Sequence, residues 1–163
     1  MPVKKFLDGQ INALVSKIKI IPNSATCSAG DRVSATITLT LKKPVHARSL
    51  SARLYCVEEK KVEVKREMDP YDYRMDKELG IQRSTNLRTT TSVSQAIPFA
   101  ETKEISGEKE YESGAYTVEF HIPESAPHSQ YWANGRKVTW RMEAKLDIPM
   151  SMDVSSSAEI EVC

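Results

Sequence analysis

At 163 residues and 18.3 kDa the chain is the size of one ordinary domain, long enough to bury a core without disulfides or a metal. Apolar residues make up 40% and charged residues 28%, a balance that excludes a disordered tail. Lys and Arg number 23 against 22 Asp and Glu, and the resulting net charge of +1 removes the bulk attraction on which nucleic-acid and anionic-membrane binders rely.

In chain order, residues 1–16 read as an N-terminal arm, helical or irregular. Phe6, Leu7, Ile11, Leu14 and Val15 fall roughly on one helical stripe, which Gly9 weakens. A weak strand follows at Lys17–Ile21. Ser28-Ala29-Gly30-Asp31 forms a turn, after which Val33, Ala35, Ile37, Leu39 and Leu41 alternate with Arg32, Ser34, Thr36, Thr38 and Thr40. Lys42-Lys43-Pro44 closes that run. Leu50, Ala52, Leu54 and Cys56 alternate with Ser51, Arg53 and Tyr55, which makes Cys56 a small core residue.

Glu58–Arg88 reads as a long inserted connection, far longer than a hairpin loop. It opens on a run of interleaved acids and bases and continues through Met68, Tyr71, Tyr73 and Met75. A weaker strand is expected across Thr89–Glu104. Ser113-Gly114 opens a strand in which Tyr116, Val118, Phe120 and Ile122 alternate with polar residues, and Pro123-Glu124-Ser125-Ala126-Pro127 ends it. Asn134-Gly135 favours the positive φ angles of a tight turn. Beyond it lies the clearest signal: Val138, Trp140, Met142, Ala144, Leu146 and Ile148 alternate strictly with polar neighbours. Successive strand side chains point to opposite faces, so this strand has one wet face and one buried face. Ala158, Ile160 and Val162 repeat the pattern near the end.

About seven such strands, with turns and no helices between them, describe an all-β, antiparallel, immunoglobulin-like sandwich in a single domain. Parallel crossover folds and their nucleotide sites are excluded. No run approaches the roughly 20 apolar residues of a membrane helix. Asp8, Gly9 and Gln10 interrupt any signal-peptide core, so a cytoplasmic location without membrane insertion is expected. Cys27, Cys56 and Cys163 are widely spaced and suit neither a disulfide framework nor a zinc site.

Catalytic signatures are missing. His46 is placed in a loop, His121 on the polar side of a strand and His128 after Pro127, none at metal-ligand spacing from another histidine or cysteine. There is no nucleophile elbow, phosphate loop or zinc-protease motif. Asp147 and Asp153 lie near a strand end, but nothing in the sequence raises a pKa there. No enzyme activity, cofactor, metal or nucleic-acid partner is therefore expected.

Interaction residues are the more productive candidates. Met68, Tyr71, Tyr73 and Met75 are of types that suit adaptable binding surfaces, or they fold back to cover a sheet edge. Tyr131 and Trp132 form either an exposed pair or a plug, with Trp132 closing the end of the sandwich.

Gly30-Asp31 before an alternating strand resembles the opening pattern of the arrestin family. So does Ser113-Gly114-Ala115-Tyr116 running on to Ile122-Pro123 and Pro127. Trp140 to Pro149 and the final Glu159-Ile160-Glu161-Val162 match its last two strands. The N-terminal stretch resembles the sporulation-control-protein-like branch found in bacteria and archaea. The resemblance implies a seven-stranded arrestin-like sandwich, without enzymatic activity, that acts as an adaptor or scaffold. It would bind protein partners through sheet edges, faces or loops. Family members typically carry two sandwiches, and this chain has room for one, so a homodimer is one way to supply the second half. The alternative is a small-ligand or carbohydrate-binding module with Tyr131 and Trp132 as a stacking platform.

Overall fold

A computed structural model of the chain describes residues 15–67, 74, 77–80, 87–151 and 153–163. Its strands run in the order β1 (Val15–Pro22), β2 (Thr26–Cys27), β3 (Arg32–Leu41), β4 (Val45–Ala47), β5 (Ser49–Glu67), β6 (Leu87–Ser106), β7 (Lys109–Tyr111), β8 (Gly114–His121), β9 (Gln130–Ala133), β10 (Arg136–Asp147) and β11 (Val154–Val162). Seven are long, from 8 to 20 residues: β1, β3, β5, β6, β8, β10 and β11. They form the expected sandwich framework. The other four are pieces of 2 to 4 residues.

One layer of the sandwich is the sheet β1-β3-β8, and the other is β2-β11-β10-β5-β6, with β9 paired to β10. β4 and β7 make a small ribbon of their own. Pairing is antiparallel except for the short contact of β2 with β11.

Alternation explains the layers. In β10 the residues Val138, Trp140, Met142, Ala144 and Leu146 are buried, and the register sets Trp140 opposite Cys56, Met142 opposite Leu54, Ala144 opposite Ala52 and Leu146 opposite Leu50. On the other sheet Ile18, Ile20, Val33, Ala35, Ile37, Leu39, Val118 and Phe120 are buried, and the two inner faces share one continuous core. No polar or charged residue is buried among the described residues.

The turns behave as their residues require. Gly30 has φ 87°, and a Cβ there would meet Glu124 Cγ at 3.3 Å. Asp31 Oδ2 accepts the Ser28 N–H at 2.9 Å, and the Ile122 N–H donates to the Asp31 carbonyl at 2.8 Å. Asn134 and Gly135 have φ of 52° and 70°, as expected for a tight hairpin between β9 and β10.

Three boundaries differ from the sequence reading. β1 begins at Val15, inside the expected arm, and residues 1–14 lie outside the described residues. His46 sits in β4 instead of a loop, with Nε2 2.9 Å from Glu108 Oε1. Glu58–Arg88 is not a connection throughout: Glu58–Glu67 continues β5, and Leu87–Arg88 already belongs to β6. The strand expected across Thr89–Glu104 is the body of β6.

Candidate protein-interaction site

β5 and β6 pair from Leu50 and Ser106 out to Glu67 and Leu87, so the hairpin is longer than the sandwich that holds its base. At the crossing point Cys56 faces Phe99 and Glu58 faces Ala96, leaving Val57 opposite both Ile97 and Pro98. This is a β-bulge, and bulges bend and twist the strand that carries the extra residue. Proline suits the position, since it is tolerated at bulges and edges where no ladder N–H is needed.

Beyond the bulge the hairpin becomes an exposed two-stranded arm. Residues 60–63 and 90–98 are exposed, with Val62 41%, Val93 52% and Ile97 52% accessible. Lys61 faces Val93 and Val62 faces Ser92, so each face of the arm carries an apolar residue among polar ones.

The two strands of the arm differ sharply in charge. Eight of the ten residues Glu58–Glu67 are charged, whereas the twelve residues Thr89–Ala100 carry no charge. β6 is also the last strand of its sheet, so its outer edge has no strand partner among the described residues. Near its C-terminal end that edge approaches β8, where Lys103 Nζ donates to the Glu119 carbonyl at 2.6 Å. Between Thr89 and Ile97 the uncharged edge has no partner strand among the described residues.

The base of the arm is anchored on the β9–β10 hairpin. The Lys61 N–H donates to the Gly135 carbonyl at 2.8 Å. Glu58 Oε2 accepts from Arg136 Nε at 3.0 Å and Nη2 at 2.6 Å, and Lys60 Nζ lies 3.1 Å from Oε1. Hydrogen bonds from Arg136 and then Lys60 hold the Glu58 carboxyl below its ordinary range, so it is ionised at neutral pH. Lys61 Nζ sits 4.7 Å from the centre of the Trp132 ring.

Tyr131 and Trp132 are neighbours on β9 and therefore face opposite ways. Tyr131 is 80% exposed, under Lys137 Nζ at 5.7 Å, whereas Trp132 is half-buried against Lys61. The pair does not make one two-ring platform. Trp132 is also not among the side chains packed against the core, whereas Trp140 is fully buried within it and its Nε1–H donates to the Pro127 carbonyl at 2.8 Å. Beside Tyr131 a groove of about 430 Å³ opens where β10 changes neighbour from β9 to β11, lined by Gln130, Lys137, Thr139, Glu159 and Glu161.

Met68, Tyr71, Tyr73 and Met75, the other expected binding residues, lie outside the described residues. Sequence reasoning passed over Val62, Val93 and Ile97. A signal was present, because Val62 and Val64 alternate with Lys61, Glu63 and Lys65.

The two carboxylates near the end of β10 are engaged in ion pairs. Asp147 Oδ1 lies 3.1 Å from Arg48 Nη2, and Asp153 Oδ2 lies 2.9 Å from Lys145 Nζ. The Lys145 hydrogen bond holds the Asp153 carboxyl below its ordinary range, the opposite of what a general acid needs. Among the described residues no group of three His, Cys, Asp or Glu is placed to hold a metal ion. Cys27, Cys56 and Cys163 are free thiols. Burial is the main cause of the raised pKa of Cys27, and it lifts the Cys56 thiol to about 11.

No protein-family profile matches the chain, and no curated protein does. Among solved structures it is similar to Spo0M, a sporulation control protein from Bacillus subtilis, at 16% identity and a TM-score of 0.59. The match covers 91% of this chain and 49% of that one, so the chain spans about half the length of Spo0M. The likeness establishes the fold as an arrestin-like β-sandwich.

Proposed function

We propose that the chain is a non-catalytic, cytoplasmic adaptor of arrestin-like type, with the β5–β6 arm as its recognition element for other proteins. The observation behind this reading is the long, uncharged edge of β6, unpaired among the described residues, on an arm that exposes Val62, Val93 and Ile97. An edge strand offers a row of backbone donors and acceptors to an extended segment, and proteins normally protect such an edge with charge or cover it. Here the distal edge lacks charge, and the apolar residues on the faces add contact area. Tyr131 and Trp132 flank the base of the arm, and Met68, Tyr71, Tyr73 and Met75 belong to the segment between its two strands.

The small-ligand or carbohydrate alternative retains the groove beside Tyr131 but loses the two-ring platform, because Trp132 packs against Lys61. The fold-level likeness favours neither reading, since one scaffold hosts many functions.

The test is a shortened arm. Replacing Val62–Ser92 by Asn-Gly joins Lys61 to Val93, which already face each other, through a tight turn. Sandwich stability is expected to stay within about 1 kcal/mol of the parent, because the deleted described residues contribute nothing to the core. A partner identified with the intact protein by reciprocal capture is expected to be lost. Retention of that partner by the shortened protein would refute the role of the arm.

A further inference from the structure

We infer that the open edge of β6 is occupied by a second copy of this chain, the two arms pairing antiparallel into one four-stranded sheet. This rests on the reading of the arm as a recognition element and names the occupant of its edge. The arm calls for additional strands, since a lone two-stranded ribbon is marginal in water and three or more strands are needed for independent stability. Its edges are unequal. Adding a strand along β5 would set it beside eight charged residues in ten, whereas β6 offers twelve uncharged residues from Thr89 to Ala100.

A second β6 is the complement the edge itself specifies. Pairing an uncharged run with its own copy brings no like charges together in any register that stays within the run. Like charges directly opposite one another are what normally forbid such self-pairing. Arg88 and Glu101 bracket the run in the sequence. A two-fold axis normal to the sheet keeps each residue on the same face in both copies, so with the axis at Ser94 each Ser94 falls opposite its counterpart and Thr91 falls opposite Ile97. Positions 88 and 101 then fall opposite positions 100 and 87, neither of them charged, so no like charges meet at the ends of the run. The order of the new sheet is β5-β6 followed by the second copy's β6 and β5, so the charge-dense strands become its outer edges. Edges dense in lysine and glutamate resist further addition, and the assembly closes at two copies with an isologous interface. Pro98 and the bulge limit pairing on the sandwich side, so the contact is confined to the arm.

The experiment is light scattering on the full chain over a roughly hundred-fold concentration series, with two variants at Ser94, an exposed position on the proposed axis. The parent is expected to approach twice 18.3 kDa as concentration rises. Ser94→Lys and Ser94→Glu each set two like charges across the axis and are expected to remain monomers with an unchanged circular dichroism spectrum. An equimolar mixture of the two is expected to regain the doubled mass as a heterodimer. A parent that stays monomeric overturns the inference, and so does a Ser94→Lys protein that still dimerises or a mixture that does not recover. A monomer that still captures its partner removes the dimer and leaves the adaptor reading intact, whereas a dimer whose intact arm captures nothing does the reverse.

Discussion

Trp140 is the side chain whose removal should cost the sandwich most for the least change in shape. It is fully buried on β10 between Cys56 of β5 and Ile160 of β11, with the Phe99 ring centre 5.6 Å away. Its indole N–H supplies the 2.8 Å hydrogen bond to the Pro127 carbonyl. Trp140→Phe keeps an aromatic ring in place but removes that donor, and leaving the part-buried Pro127 carbonyl without it costs about 1–3 kcal/mol. Lost packing around the smaller ring adds about 1 kcal/mol, bounded by the ~3–5 kcal/mol of a full Trp→Ala truncation. The expected loss is therefore about 2–4 kcal/mol, or roughly 5–15 °C in Tm for a domain of this size. Urea unfolding followed by far-UV circular dichroism measures it without relying on the tryptophan signal. Trp132→Phe is the control: its half-buried ring lies under Lys61, and Phe can take its place, so a change below about 0.5 kcal/mol is expected. The control also leaves Trp140 as the single tryptophan, and acrylamide should then quench fluorescence only weakly. Equal losses in the two variants, or strong quenching of Trp140, would refute the placement of Trp140 in the core.

Two further outcomes follow from buried groups. The Tyr111 hydroxyl is shared between the Ser106 carbonyl at 2.9 Å and the Gly107 carbonyl at 2.6 Å, so Tyr111→Phe is expected to lose about 1–3 kcal/mol in the same urea assay, and a neutral result would contradict that geometry. The Cys56 thiol is raised from 9.0 to about 11, so between those values the folded protein holds a proton that the unfolded chain has released. The contribution is fully present below pH 9 and is lost as pH rises toward 11, by roughly 2–3 kcal/mol in total. Cys56→Ser, compared with the parent across that range, is expected to flatten the alkaline decline, and parallel curves would refute the assignment.

The sandwich was legible because most of its long strands have one dry face and one wet one, and that difference is written into the sequence at a period of two. β10 shows it without a break. The arm was not legible for the same physical reason. Both of its faces meet water, so no face demands apolar residues, and Glu58–Glu67 presents its charges as a connection would. Only Val62 and Val64 keep the rhythm. The first half of β11 was missed similarly, since Ser155, Ser156 and Ser157 carry no apolar contrast. Of the candidate site, Tyr131 and Trp132 were recognisable as candidates, as an exposed pair or with Trp132 as a plug. The separation of Tyr131 from Trp132 needed the knowledge that Gln130–Ala133 is a strand, which four residues before a turn do not disclose. The uncharged run of β6 was visible in the sequence, but its meaning depended on which strand ends the sheet, and topology alone supplies that.

The bulge opposite Val57 divides one unbroken hairpin into two units of very different permanence. On the sandwich side, amide protons of Leu50–Cys56 sit in a ladder flanked on both sides and exchange with solvent only when the whole core opens. A few residues further along the same strands, the amides of Val62 and Val64 depend on the arm ladder alone. They can be released by a local opening that leaves the core untouched. A single strand thus spans the range from slowest to fastest deuterium uptake within about ten residues, with the transition at the bulge. Whatever adds strands to the arm moves that transition outward, so the position of the boundary along β5 and β6 reports occupancy residue by residue.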